Sequence, residues 1–350
     1  MYILLAILLF GFLIFIHELG HFLTAKALGV KVNEFSICMG PALWQKTVGE
    51  TTYSLRCLPI GGYCAMEGED GESEDPRSFQ RQAVWKRLVI LAAGSAMNFL
   101  TGFVILTILF AGAQAFVTPQ IDGFMEGCPI EGENGLMVGD EILAIDGRRV
   151  FTYSDLSLLL DRGGDDVYDF TLRRDGKTVK LQQVEFAPRY YEENGQQVLK
   201  YGLFFAAREN SPGMTLRYAW YSAIDFGRMV VYGLEDLFSG RAGFKDVSGA
   251  VGIVAAINES GQAAETRSEG VENVLYFGAF IAVNLAFMNM LPFPALDGGR
   301  VFFLLVTAVI EGVTRKKVDP KYENYIHGAG MALLLAFVAL ITVKDVISLF

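Results

Sequence analysis

The sequence predicts a polytopic α-helical membrane protein with about four transmembrane helices, a membrane-associated β-hairpin and one extracytoplasmic α/β domain. Three observations carry that expectation. Hydrophobic residues make up 52% of the 350 residues, too many for an ordinary soluble domain, while charged residues at 19% are too many for a bare helical bundle. Four apolar stretches, residues 2–25, 88–116, 274–310 and 328–350, are long enough to cross a hydrocarbon core of about 30 Å at about 1.5 Å per residue. A long, more polar segment with the pattern of a folded domain separates the second stretch from the third.

Along the chain, each element has its own signal. The first stretch lacks a basic leader and a small-residue cleavage pattern, so it reads as a retained span rather than a signal peptide. Residues 51–66 alternate as a strand does, and Pro59 with Gly61-Gly62 punctuates them, which suggests a hairpin. The outer segment, residues 116–208, holds β-rich runs at 141–145, 167–172 and 178–186. Turn signals at Asp146-Gly147 and Asp175-Gly176 and a helical run at 153–160 complete a mixed α/β domain. Residues 212–237 form an amphipathic run rich in Tyr, Trp and Met, expected as a helix along the membrane surface or packed on the domain. The third apolar stretch breaks at Pro292, Pro294 and Gly298-Gly299. A broken span is tolerated in lipid only where it lines a cavity, which makes the break a candidate site.

Basic residues near the span ends set the orientation. Lys26 and Lys31 follow span one, Lys86-Arg87 precede span two, and Arg315, Lys316, Lys317 and Lys321 lie between the last two. Those loops are therefore expected in the cytoplasm, with both termini and the α/β domain outside. The net charge of -10 supplies no basic stripe for phosphates, so nucleic acid is excluded as a partner. The acid concentrated at residues 67–75 reads as a solvated loop. Cys38, Cys57, Cys64 and Cys128 have no paired spacing, so neither a disulfide framework nor a zinc ribbon is expected; a metal role for Cys57 and Cys64 is the weaker alternative.

The chemistry is written into the first span as His17-Glu18-Leu19-Gly20-His21. Histidines at i and i+4 share a helix face, so both imidazoles can reach one Zn²⁺, and Glu18 is placed to take a proton from a water at the metal. Ionisable groups at that depth are costly and mark function; the bland alternative is a pair of satisfied interior histidines. A catalytic zinc takes three protein ligands, and Asp297 is the acid inside the broken span, with a helix N-cap as its other reading. The third histidine, His327, near the start of the last apolar stretch, reads as an interfacial residue, with contact to the metal as the weaker alternative.

These residues resemble the site-2 protease family of intramembrane zinc metalloproteases, in its bacterial RseP-type branch. The matching pieces are His17–His21, the run from Tyr53 to Tyr63, Gly94-Ser-Ala-Met-Asn98, a PDZ-like stretch from Pro129 to Gly147 and the run from Asn289 to Gly299. The resemblance implies that His17, His21 and Asp297 hold Zn²⁺ and that Glu18 is the general base. It further implies that Asn98 lies near the site, that Asn289 and Pro292 hold substrate backbone, and that the hairpin, with Tyr53 and Leu55, offers an edge strand to an unwound substrate. It divides the chain into residues 1–116 with the first two spans, 117–208 as a single PDZ-like domain, 209–271 as a juxtamembrane amphipathic region and 272–350 with the last two spans. The implied activity is cleavage of single-span proteins, such as an anti-sigma factor or remnant signal peptides, after an upstream protease has trimmed them. The bacterial family resemblance also implies a cell inner membrane. Cys38-Met39-Gly40-Pro41, Ser248–Gly252 and Arg300 depart from the family's usual residues without removing a catalytic group. A membrane metal transporter or sensor could use the same ligands, but further polar groups along the spans are scarce; a silent scaffold would be expected to have lost Glu18 or a ligand.

Overall fold

A computed structural model describes residues 1–69, 71, 73–193, 196–243, 245–315 and 321–348. Lys316 and Lys317 of the orientation argument lie outside the described residues, as do Asp70 and Glu72 of the acidic loop. In chain order the elements are α1 (Tyr2–Ala27), β1 (Val32–Val48), β2 (Thr51–Met66), α2 (Val84–Ala111), β3 (Ala115–Phe124), β4 (Glu141–Ile145), β5 (Arg148–Arg149) and α3 (Tyr153–Asp161). They continue as β6 (Val167–Arg174), β7 (Lys177–Glu185), β8 (Arg189–Glu193), β9 (Gln196–Lys200), β10 (Leu203–Glu209), α4 (Pro212–Ser239), α5 (Ala250–Ala263), α6 (Arg267–Asn289), α7 (Asp297–Thr314) and α8 (Lys321–Ser348). The chain divides into two compact units, Met1–Leu109 with Phe226–Phe350, and Phe110–Asp225.

Among the described residues, four helices are long and apolar enough to cross a membrane: Tyr2–Ala27, Val84–Ala111, Arg267–Asn289 and Tyr325–Ile347. On α1 the buried residues Ala6, Leu13, His17, Gly20, His21 and Ala25 fall on one stripe, the consequence of helical spacing. Ile3, Leu4, Ile7, Leu8 and Phe12 stay exposed, an apolar surface suited to lipid. The helix ends where Val30 N–H returns to the Ala25 carbonyl at 2.9 Å. The broken third stretch resolves into two separate helices: α6 is the span and stops at Asn289, and α7 starts anew at Asp297. The prolines and glycines between them forbid one continuous helix. A helix not anticipated from the sequence, α5, packs against α1 and α6, where Ile257 joins Ala6, Leu13, Val274 and Ile281 in a core.

The sheet of the first unit differs from a plain hairpin edge. Residues 44–48 pair with 51–55, and residues 52–55 also pair with 34–37, which in turn pair with 62–65, while Met66 lies opposite Val32. Tyr53 and Leu55, expected on an edge, therefore lie on a run flanked on both sides. Among the described residues, the outer rows are 44–48 and 62–66. The cause is that β1 and β2 each fold back on themselves at Gly40 (φ 84) and Gly61 (φ 80). An Arg56 guanidinium stitches the layers, donating to Glu34 Oε1 (2.7 Å), Ser36 Oγ (3.1 Å) and the Gly40 carbonyl (2.7 Å). Burial alone would raise the Glu34 carboxyl, but the bonds from Ser54 and Arg56 prevail and hold it below the usual carboxylate range.

The second unit is a sheet in the order β10-β3-β4-β6-β7, with β5 paired to β4, a separate β8-β9 hairpin, and α3 opened by a capping box of Thr152 and Asp155. Alternating inward residues such as Ile142, Tyr168, Phe170 and Leu172 form its core. Asp140, 1% exposed, holds Arg174 at 2.7 Å, and Arg174 also caps the Gly135 carbonyl at 2.7 Å. A cavity of about 450 Å³ lies between α3 and the start of β10, lined by Tyr153, Leu156, Leu160, Leu203 and Phe205 among others. The first and last strands, β3 and β10, are neighbours, with Ala115 opposite Glu209.

Candidate active site

Helical spacing on α1 brings His17 Nε2 and His21 Nε2 to 3.2 Å from each other. The first turn of α7 delivers Asp297 Oδ2 to 3.1 Å from His17 Nε2 and 3.3 Å from His21 Nε2. Asp297 is the first residue of its helix, and the N-cap position is Leu296, so its carboxylate serves the histidines instead of capping. Ligands about 2.0–2.1 Å from a tetrahedral Zn²⁺ stand roughly 3.3 Å apart, so the three atoms already have the separations such an ion needs. Asp297 Oδ2 is buried without a hydrogen-bond donor. Converging lone pairs in a buried setting are costly unless a cation accepts them, and these are the residues among those described that can hold a metal ion.

The second ring nitrogens are held as a metal site requires. His21 Nδ1–H donates to the Ile90 carbonyl at 2.8 Å, which leaves the Nε2 lone pair turned inward. The Asn98 amide stands 3.4 Å from His17 Nδ1, and Asn98 Oδ1 has no partner with the amide nitrogen facing the ring. Turning the amide over lets Oδ1 accept from Nδ1–H and frees His17 Nε2 in the same way. Both supports come from α2, which explains why this span approaches so closely. Gly94 is the point of approach: a Cβ there would stand 2.7 Å from His17 Cε1 and press on His21 Nε2.

Gly94→Ala is accordingly expected to displace both imidazoles and to cost zinc and activity together, whereas Gly11→Ala, where a Cβ meets nothing within 4 Å, leaves both at the parent level. Zinc analysis of the two purified proteins checks this. Full zinc in Gly94→Ala would mean that the rings can step aside.

Other sequence candidates fall in distinct places. Glu18 is half-buried, and a Cβ at Gly62 would lie 3.5 Å from its Cγ, so the outer row 62–66 passes beside it. Asn289 closes α6 and Pro292 is exposed in the connection that leads to Asp297. Tyr53 packs its ring against Phe22 at 5.9 Å, and Leu55 is exposed. Arg300, on the first turn of α7, pairs with Glu69 of the loop after β2. Asp345 accepts from Gly249 N–H (2.8 Å) and Gly252 N–H (2.9 Å) and so tethers α8 to the start of α5. The four cysteines are free thiols. Ile90 was not singled out from sequence; Gly94 entered only as part of the matching run 94–98, without its role as the point of approach, and the 62–66 row only as part of the hairpin, without being told apart from the row of Tyr53 and Leu55. The only signal for them was the small-residue run Gly94-Ser95-Ala96 in a span and the Gly61-Gly62 pair.

Peptidase family M50 matches residues 5–337 of the chain. A Clostridium perfringens protein named as a zinc metalloprotease is 37% identical, covering 99% of each chain. One from Fusobacterium nucleatum with the same style of name is 35% identical, again over 99% of each. The regulator of sigma-W protease RasP of Bacillus subtilis is 27% identical over 98% of each.

Proposed function

The chain belongs to peptidase family M50 and is a zinc metalloprotease, and from that premise we propose that it cuts transmembrane segments of single-span proteins within or near the bilayer. His17, His21 and Asp297 hold the zinc, and Glu18 is the general base. What supports this assignment is the mutual spacing of the three donor atoms, 3.1 to 3.3 Å, with Glu18 beside the first of them. Held by these residues, a zinc ion would supply Lewis acidity for a bound water and for the scissile carbonyl. Glu18 takes the proton as the water attacks and returns it to the leaving amine nitrogen. His21 and His17 keep their inward tautomers through Ile90 and Asn98.

A transmembrane helix hides its carbonyls in its own hydrogen bonds, so it must open before attack. The outer row 62–66 is suited to pair with the opened stretch, since it is the row that runs past Glu18; Tyr53 and Leu55 support it from within the sheet. Asn289 and Pro292 are placed to touch substrate from the connection before Asp297. The kinship with a protein named as a regulator of sigma-W protease favours a membrane-bound regulator, such as an anti-sigma factor, over remnant signal peptides. A metal transporter is disfavoured by relatives named as proteases. The reading is tested by measuring zinc in the purified protein and incubating it with a model single-span substrate. Zinc-dependent cleavage inside the span is expected, and cleavage confined to flanking loops would overturn it.

The unit formed by Phe110–Asp225 we read as a PDZ-like domain on the outer side that restricts bulky substrates. Because Val117 and Ala207 are paired, residues 118–206 can be replaced by a short flexible linker. The shortened protein is expected to keep its zinc and to cleave full-length and pre-trimmed substrate at similar rates. An unchanged preference for the trimmed form would assign discrimination to the membrane unit and make the domain a docking module.

A further inference from the structure

The connection that carries Asp297 to the histidines contains a residue in an expensive conformation. Ala295 has φ 83, the left-handed region that an L side chain with a Cβ seldom enters. Such a conformation persists only where its surroundings over-determine it. Two features of α8 do so here. Ala295 N–H donates to His327 Nδ1 at 3.1 Å, and Phe303 of α7 sets its ring edge-on to the imidazole, with centroids 5.3 Å apart. One turn further along, a Cβ at Gly330 would lie 2.9 Å from the Pro294 carbonyl oxygen, so the helix can settle on this connection only because that residue is glycine. From below, Gly298 leaves equally little space against the backbone of Met290 and Leu291.

We infer that His327 is a positioning residue for the zinc site: by accepting from Ala295 N–H it holds the left-handed turn that aims the Asp297 carboxylate at His17 and His21. The inference rests on Asp297 being a zinc ligand. Since Nδ1 is the acceptor, the ring is neutral with its proton on Nε2. A carboxylate two residues beyond Ala295 follows the direction of that turn, and a ligand aimed loosely binds metal less tightly. Loss of a group that orients a ligand costs about 10–100-fold in metal affinity.

The test uses the full-length protein and two readouts, zinc affinity and hydrogen exchange of the peptide spanning residues 290–296. His327→Leu is expected to speed exchange in that peptide and to weaken zinc about 10–100-fold. His327→Asn, whose Oδ1 can stand where Nδ1 stood, should keep both near the parent. Ala295→Gly combined with His327→Leu should recover much of the zinc affinity, because glycine holds the turn without help. Asp297→Ala is the parallel arm. If it keeps its zinc, the ligand assignment fails; if it loses zinc while His327→Leu alters neither exchange nor affinity, the ligand assignment stands and the role of His327 is overturned. Equal damage from His327→Asn and His327→Leu, with no recovery by Ala295→Gly, would reduce His327 to packing.

Discussion

Glu18→Gln is expected to abolish cleavage of a transmembrane substrate while the purified protein keeps about one zinc per chain. The two halves of this result have separate causes. The proposed metal-binding set is His17, His21 and Asp297, whose donor atoms meet within 3.3 Å of one another. Glu18 stands outside that set, on the side of α1 that faces Gly62. Glutamine keeps the length and much of the shape of the side chain but cannot accept a proton. A positioned base contributes about 10²–10⁴-fold in rate, so the loss brings turnover near background with no change in the fold. The measurement is cleavage of a single-span substrate alongside metal analysis. Cleavage at the parent rate by this variant would remove Glu18 from the mechanism, and loss of zinc would make it a ligand.

Asp297→Ala should lower zinc content and activity together, and by more than the ~10–100-fold that loss of an orienting partner costs, because a ligand itself is removed. Two imidazoles then face each other across 3.2 Å with no carboxylate to complete the set. Glu311→Ala, near the other end of α7, is the control and should leave both near the parent level. Zinc titration of the two proteins decides the matter. Unchanged zinc in Asp297→Ala would force a search for another third ligand, and among the described residues the grouping of histidine and acid offers no other.

Some of this was legible before any coordinates. The His17–His21 pair needs nothing but a helix, and an apolar run of that length is a helix in lipid because every backbone group must be satisfied internally. The four spans follow from length and hydropathy, and the break before Asp297 follows from Pro292, Pro294 and the two glycines, which act on their own backbone. The charge and the alternation of residues 141–172 likewise act locally, and they announced an aqueous α/β segment between two spans.

Other features depend on partners distant in the chain. The edge role of Tyr53 and Leu55 came from the family resemblance, and alternation marks a strand without saying what lies on either side of it; residues 34–37 and 44–48 flank them, a matter of register between segments. The ring tautomers depend on Ile90 and Asn98, and the room for the rings on Gly94, all from another helix. Helix α5 is too short and mixed to announce itself as part of the membrane unit, yet its Ile257 is fully buried there. His327 read as interfacial because its acceptor role exists only once α8 lies against Ala295. Local periodicity and backbone stereochemistry account for the spans, the histidine pair and the break, all legible in the residues alone. How closely Asp297 approaches those histidines, which rows lie outermost in the sheet and what Ala295 N–H meets depend on packing between segments, where energy comes from contacts that no local pattern encodes.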